Sequence, residues 1–308
     1  MILIISNSKD FSTTSVIEWL NFFKKKWIRV NEEDHVHVNF LGSEIEFNVN
    51  DFNFKLSDIT SCWYRRGFLN LKFIINNEVK QFQDFNTVEA RKIEQYIYYK
   101  LSLLRKINYY SNSNVNKLIV SDIARSLEIN TPNDYLISSK NVLKNLMDFD
   151  NHKLITKSIW GNPIHRFENF SLFNYTQKVE FGKIEKDNFA VSLVQNYIDK
   201  KYELRIFYFE NKKYSMAIFS QYDAKTTVDF RNYNKAKPNR TVPYKLPFII
   251  EQKLINLMDK LDLNCGSIDM IVDKNNEYYF LEVNPIGQYG MVSDPCNYEL
   301  DSIIAKYL

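Results

Sequence analysis

At 308 residues, with 45% hydrophobic side chains and 40 Lys plus Arg against 37 Asp plus Glu, the chain can bury a large core and has no strongly charged half. That balance excludes nucleic acid binding through a broad basic surface, although a local cleft for an anionic cofactor remains open. The size predicts roughly two or three compact units. Cys62, Cys265 and Cys296 are odd in number and have no short paired spacing. They argue against a disulfide framework or a zinc site and for a reducing cytoplasm. The apolar run after Met1 is too short for a signal segment, and no window is apolar enough to span a bilayer, so a soluble protein without a membrane partner is expected.

In chain order, residues 2 to 5 form an apolar, β-branched strand, and residues 13 to 26 place Val16, Ile17, Leu20 and Phe23 at helical spacing. Alternation predicts strands over 35–40 and 59–64, the second ending in Trp63-Tyr64-Arg65-Arg66-Gly67. A long helix is expected over about 87–107, with Ile93, Ile97, Leu101 and Leu104 on one face. The Ser- and Asn-rich stretch 110–116 reads as a boundary. Helical spacing returns over 117–127, a strand is expected at 135–137 after Thr131-Pro132, and a short helix over 140–147. Strands follow at 153–159 and 189–197. A hairpin is predicted from 204–209 and 214–220, a helix over 249–261, and a second hairpin from 267–272 and 278–282 around Lys274-Asn275-Asn276.

The strongest chemical signal lies on that second hairpin, where Gly266-Ser267-Ile268-Asp269 faces Phe280-Leu281-Glu282-Val283-Asn284-Pro285. Asp269, Glu282 and Asn284 alternate with Ile268, Met270, Leu281 and Val283, so the pleat gathers the oxygens on one face. Carboxylate and amide oxygens suit Mg²⁺. None of His35, His37, His152 or His165 stands in a motif, and no Ser-His or Cys-His arrangement can be built.

With Gly287-Gln288 following the Asn-Pro pair, this run resembles the ATP-grasp superfamily. The resemblance implies an α/β (α+β) chain with a Rossmann-like N-terminal domain over 1–112, a central domain over 113–195 and a Mg²⁺-binding C-terminal domain over 196–308. It implies ATP as cofactor, with a pair of Mg²⁺ ions on Asp269, Glu282 and Asn284. Lys117 and Lys157 match the family's phosphate-contacting lysines, each a compact charge suited to a triphosphate. Gln195, Asn196, Tyr197 and Ile198 resemble the hinge that reads adenine, and Glu203 the carboxylate that takes the ribose hydroxyls. Arg205 is placed to meet phosphate, the alternative for Glu203 and Arg205 being a cross-strand ion pair. The sequence departs from the family in its phosphate-covering loop, where it offers only Gly161 and Gly182.

Within the superfamily, Trp63-Tyr64-Arg65-Arg66, Val228-Asp229-Phe230-Arg231 and Gly287-Gln288 resemble the graspetide synthetases, which cyclise ribosomally made precursor peptides bearing a leader. This implies phosphorylation of an Asp or Glu side chain and its closure onto Thr, Ser or Lys, by a homodimeric enzyme. Arg231 is the candidate to grip the donor carboxylate, and Asp229 either orients it or accepts a proton. Arg65 and Arg66 could reach the active site, bind the peptide or lie at a dimer contact. Two rivals remain: a ligase that adds a free amino acid to a protein or peptide, and a non-catalytic nucleotide-binding module.

Overall fold

The run Ile2-Leu3-Ile4-Ile5 is buried at every position, as a strand covered on both faces must be. It is β1 (Ile2–Ser6) of a computed structural model that describes residues 1–73, 80–150, 153–160, 164–173, 175–221 and 238–308. Two compact units emerge, the first from residues 1–114, 263–265 and 288–308 and the second from 115–262 and 266–287. No described helix is long and apolar enough to cross a membrane.

In the first unit β1 is followed by α1 (Phe11–Phe22), β2 (Trp27–Asn31), β3 (His35–Leu41), β4 (Glu44–Val49), β5 (Phe52–Lys55), β6 (Ser61–Tyr64), β7 (Asn70–Leu71), α2 (Lys80–Ser102) and β8 (Arg105–Ile107). A parallel sheet runs in the order β2-β1-β6-β8, and a second sheet in the order β5-β4-β3-β7. Helices Gly290–Cys296 and Leu300–Tyr307 return to this unit, the latter packing on α1.

Two helix limits differ from those expected. Asp10 caps α1 by accepting from the Thr13 N–H at 2.9 Å, and a left-handed Lys24 (φ 57°) follows the helix end, so residues 23–26 turn into β2. The apolar spacing of α2 continues through Leu104 to Ile107, but Ile107 instead pairs in parallel register with Trp63 and is fully buried. A sheet edge outcompetes the helix there. Strands β2, β4 and β5 were not expected; β4 alternates Ile45, Phe47 and Val49 inward with Glu44, Glu46 and Asn48.

The second unit runs α3 (Lys117–Ser126), β9 (Asp134–Ser139), α4 (Lys140–Asp150), β10 (Leu154–Lys157), β11 (Ile164–Arg166), β12 (Ser171–Phe173), β13 (Gln177–Lys178), β14 (Asn188–Asn196), β15 (Lys200–Phe209), β16 (Lys212–Phe219), β17 (Arg240–Tyr244), α5 (Phe248–Lys260), β18 (Cys265–Asp273) and β19 (Tyr278–Asn284). One antiparallel sheet has the order β13-β10-β14-β9, and its core joins Ile137, Leu143, Leu154 and Val194. Strands β11 and β12 pair separately. The other sheet, β17-β16-β15-β18-β19, contains both expected hairpins. Helix α3 packs against β19 and α5. Asp229 and Arg231 lie outside the described residues.

Candidate nucleotide and metal site

Asp269 and Glu282 stand directly opposite one another on β18 and β19, and Asn284 lies two residues along, opposite Ser267. The pairing register shifts between Asp269 and Met270, which leaves Leu281 as the extra residue of a bulge. A bulge releases a backbone group from the ladder, and the Leu281 carbonyl accepts from Lys157 Nζ at 3.5 Å. The bulge thus brings the end of β10 to the carboxylate strand.

The three oxygen-bearing side chains share a face, and each carboxylate faces a cation. Arg205 Nη1 donates to both oxygens of Asp269 at 2.8 Å. Lys117 Nζ lies 2.9 Å from Glu282 Oε2 and donates to the Ser158 carbonyl at 3.2 Å. Lys117 reaches that position because Asn116 caps α3, accepting from the Leu118 and Ile119 N–H groups, which fixes Lys117 as the first helical residue. Asn284 Nδ2 donates to Glu282 Oε1 at 3.3 Å. The four charges of Arg205, Lys117, Asp269 and Glu282 sum to zero.

Beside them, a cavity is lined by Lys157, the segment Gln195 to Ile198, Glu203, Asp269 and Glu282. Gln195 pairs in register with Ile155 on one side and Asp134 on the other, so β14 is central and the chain leaves its sheet at Asn196. The Tyr197 N–H is committed to the Lys153 carbonyl at 2.8 Å. Burial pushes the Tyr197 phenol above its usual value, and the Asp199 charge adds to this against a smaller opposing effect of Lys274. Glu203 does not pair with Arg205. Its carboxylate accepts instead from Lys200 and, at 3.1 Å, from the Ser220 hydroxyl.

No protein-family model and no curated protein matches the chain. Solved structures do. A Chryseobacterium gregarium RiPP-associated ATP-grasp ligase, in complex with ADP and a leader and core peptide, is similar at 23% identity and TM-score 0.80, over 99% of this chain and 94% of that one. Macrocyclase MdnC of Microcystis aeruginosa MRC, bound with precursor peptide MdnA, is similar at 24% identity and TM-score 0.79, over 100% and 98%. Macrocyclase MdnB of the same organism gives 20% identity and TM-score 0.75 over the same shares. The chain has the ATP-grasp fold.

Within that fold, the structure gathers Lys157, Gln195, Asn196, Tyr197, Ile198, Glu203, Asp269 and Glu282 at one cavity, with Lys117 and Arg205 on the two carboxylates. Lys200 went unnoticed in the sequence. It opens β15 beside the exposed Lys201, and it is 3% exposed and held by Glu203. Its one signal is the ten-residue strand it begins, almost wholly buried.

Two observations test the fit of a nucleotide and a hard cation. Gln195 Oε1, Asn196 Oδ1 and Arg205 Nε are buried without a hydrogen-bond partner, two acceptors at the end of β14 and a donor at the carboxylates. Such groups each cost about 1–3 kcal/mol unless a ligand meets them. The oxygen donors form a hard set of the type preferred by Mg²⁺, an ion that usually takes water and phosphate as its remaining ligands.

Proposed function

We propose that the chain is an ATP-dependent peptide macrocyclase. It would phosphorylate Asp or Glu side chains of a ribosomally made, leader-bearing precursor and close them onto Thr or Ser as esters or onto Lys as amides. The observation that carries this reading is the opposed Asp269–Glu282 pair, each carboxylate matched by a cation, beside a cavity whose hinge holds unpaired acceptors. The fold shared with peptide-binding ATP-grasp ligases supports it.

In this reading Asp269, Glu282 and Asn284 hold Mg²⁺, a pair of ions by the resemblance, which screens the charge of the triphosphate. Lys117 and Lys157 hold phosphate oxygens, and Arg205 supplies its unpaired Nε–H to an anion while keeping Asp269 oriented. With Tyr197 N–H occupied, Ile198 is the hinge residue that offers its N–H to the base. Glu203 takes ribose hydroxyls, held in place by Lys200 and Ser220. Arg231 grips the donor carboxylate, and Asp229 orients it or receives the proton of the attacking hydroxyl.

The chemistry balances without a protein nucleophile. The peptide carboxylate takes the γ-phosphoryl group, releasing ADP. A peptide hydroxyl or amine then attacks the acyl carbon, releasing phosphate and a proton. The protein's part is alignment and charge screening. The three cysteines Cys62, Cys265 and Cys296 are all buried, in accord with a reducing cytoplasm, and a homodimer follows from the resemblance alone.

The test is ADP release by the purified protein with ATP and Mg²⁺, with and without candidate leader-bearing peptides rich in Thr and Glu. Stimulation that requires the peptide's Asp or Glu residues supports the proposal. ATP turnover indifferent to every such peptide overturns it, and equal stimulation by a free amino acid does so in favour of the amino-acid ligase.

A further inference from the structure

Gln195 is 2% exposed and faces Asp134 in register across β14 and β9. Its Nε2 donates to Asp134 Oδ1 at 2.5 Å. The other oxygen of Asp134 accepts from Arg125 Nη1 and Nη2 at 3.1 and 3.2 Å, and Arg125 is itself held by the Thr131 hydroxyl and by Asp122. An ionised carboxylate offers acceptors only, so it can meet the amide nitrogen and never the amide oxygen. The Gln195 amide is therefore fixed in one of its two orientations. The atom left over is Oε1, a buried acceptor without a partner on a residue that lines the cavity.

From this we infer that Asp134, braced by Arg125, is a positioning residue that sets base selectivity. By locking the Gln195 amide it presents an acceptor to the base, which rewards a purine with an exocyclic amine and rejects one with a carbonyl at the same place. The inference rests on the nucleotide reading above and deepens it. A site built to hydrogen-bond one group discriminates strongly against a ligand that leaves its buried polar atom unpaired.

The test measures binding of ATP, GTP and purine riboside triphosphate, each with Mg²⁺, to the full chain by calorimetry. The wild type should bind ATP roughly tenfold or more tightly than the analogue lacking the amine, and GTP more weakly still. Asp134→Asn gives the neighbour its own N–H donor, which can turn the Gln195 amide over. ATP should then weaken, GTP should strengthen, and the ATP/GTP ratio should fall by roughly tenfold or more. In a Gln195→Leu background the Asp134→Asn change should leave that ratio unmoved. Equal wild-type affinity for ATP and the amine-free analogue would overturn the inference even if Asp134→Asn failed to fold. So would uniform weakening of all three nucleotides in Asp134→Asn. Absence of any nucleotide binding by the wild type would remove the nucleotide reading itself, a result distinguishable from either.

Discussion

Arg205 holds both oxygens of Asp269 from a single nitrogen, Nη1, at 2.8 Å, while its Nε is buried without a partner. A bidentate fork using two nitrogens would satisfy the guanidinium better. The geometry keeps Asp269 oriented and leaves a donor for a second anion. Asp269→Asn should therefore abolish ADP production and also lower stability by about 2–4 kcal/mol, because a buried cation loses its counter-charge. Glu282→Gln should behave likewise through Lys117, 2.9 Å away. Denaturant titration beside a coupled ADP assay reads both effects; retained turnover in either variant at ordinary Mg²⁺ would remove the metal assignment.

Lys157 ends a short strand with its ammonium on the Leu281 carbonyl at 3.5 Å and against the cavity. A triphosphate in that cavity would meet the ammonium through charge-assisted hydrogen bonds, which are stronger than those to neutral acceptors. Lys157→Ala should weaken ATP binding at least about tenfold, the effect of losing one charge-assisted contact of about 1.5–3 kcal/mol. Calorimetry giving an unchanged dissociation constant contradicts that role.

Gly287 closes the turn after Asn284, its N–H bonded to the Asn284 carbonyl at 2.9 Å. A Cβ there would lie 2.1 Å from Ser267 Oγ and 2.8 Å from the Ser267 backbone nitrogen. Since backbone must move to admit it, Gly287→Ala should destabilise the chain by about 1–3 kcal/mol and disturb the strand that carries Asp269. At Gly266 the closest approach is 3.3 Å, so Gly266→Ala should be milder. Thermal unfolding of the two variants ranks them; the reverse order would refute the close-packing account.

Asp10 caps α1 and lies between Arg65 and Arg66. Burial pushes its carboxyl up, but the Arg65 charge, hydrogen bonds from Ser12 and Thr13, and the Arg66 charge together hold it below the ordinary 3.8. A carboxyl lowered in the folded state contributes stability that is fully present above its unfolded value and is lost as the pH falls through the folded one. Asp10→Asn should thus be less stable than the wild type at neutral pH, with the difference shrinking below about pH 4. Urea unfolding as a function of pH checks this, and a difference that grows on acidification would contradict it.

The hairpin of Asp269 and Glu282 was legible because strict alternation on two strands joined by Lys274-Asn275-Asn276 leaves one register in which the oxygens meet. Long-range pairing was not. Asp134 and Arg125 carry no motif, and only the β14–β9 register joins Asp134 to Gln195. Lys200 and Glu203 are three apart, a spacing that puts strand side chains on opposite faces, and their contact depends on Lys200 opening the strand. The bulge at Leu281 was equally hidden, since a bulge is a property of the partner strand as much as of its own residues.

The central claim is that the chain couples nucleotide cleavage to ring closure within a peptide. Incubating it with ATP, Mg²⁺ and a leader-bearing precursor peptide that stimulates its ADP release, then following peptide mass and ADP in the same time course, tests that claim most directly. The expected result is the loss of one water for each ring, with one ADP formed for each and both rising together. A peptide that gains the mass of an amino acid, or ADP that accumulates while the peptide mass stays constant, would contradict it.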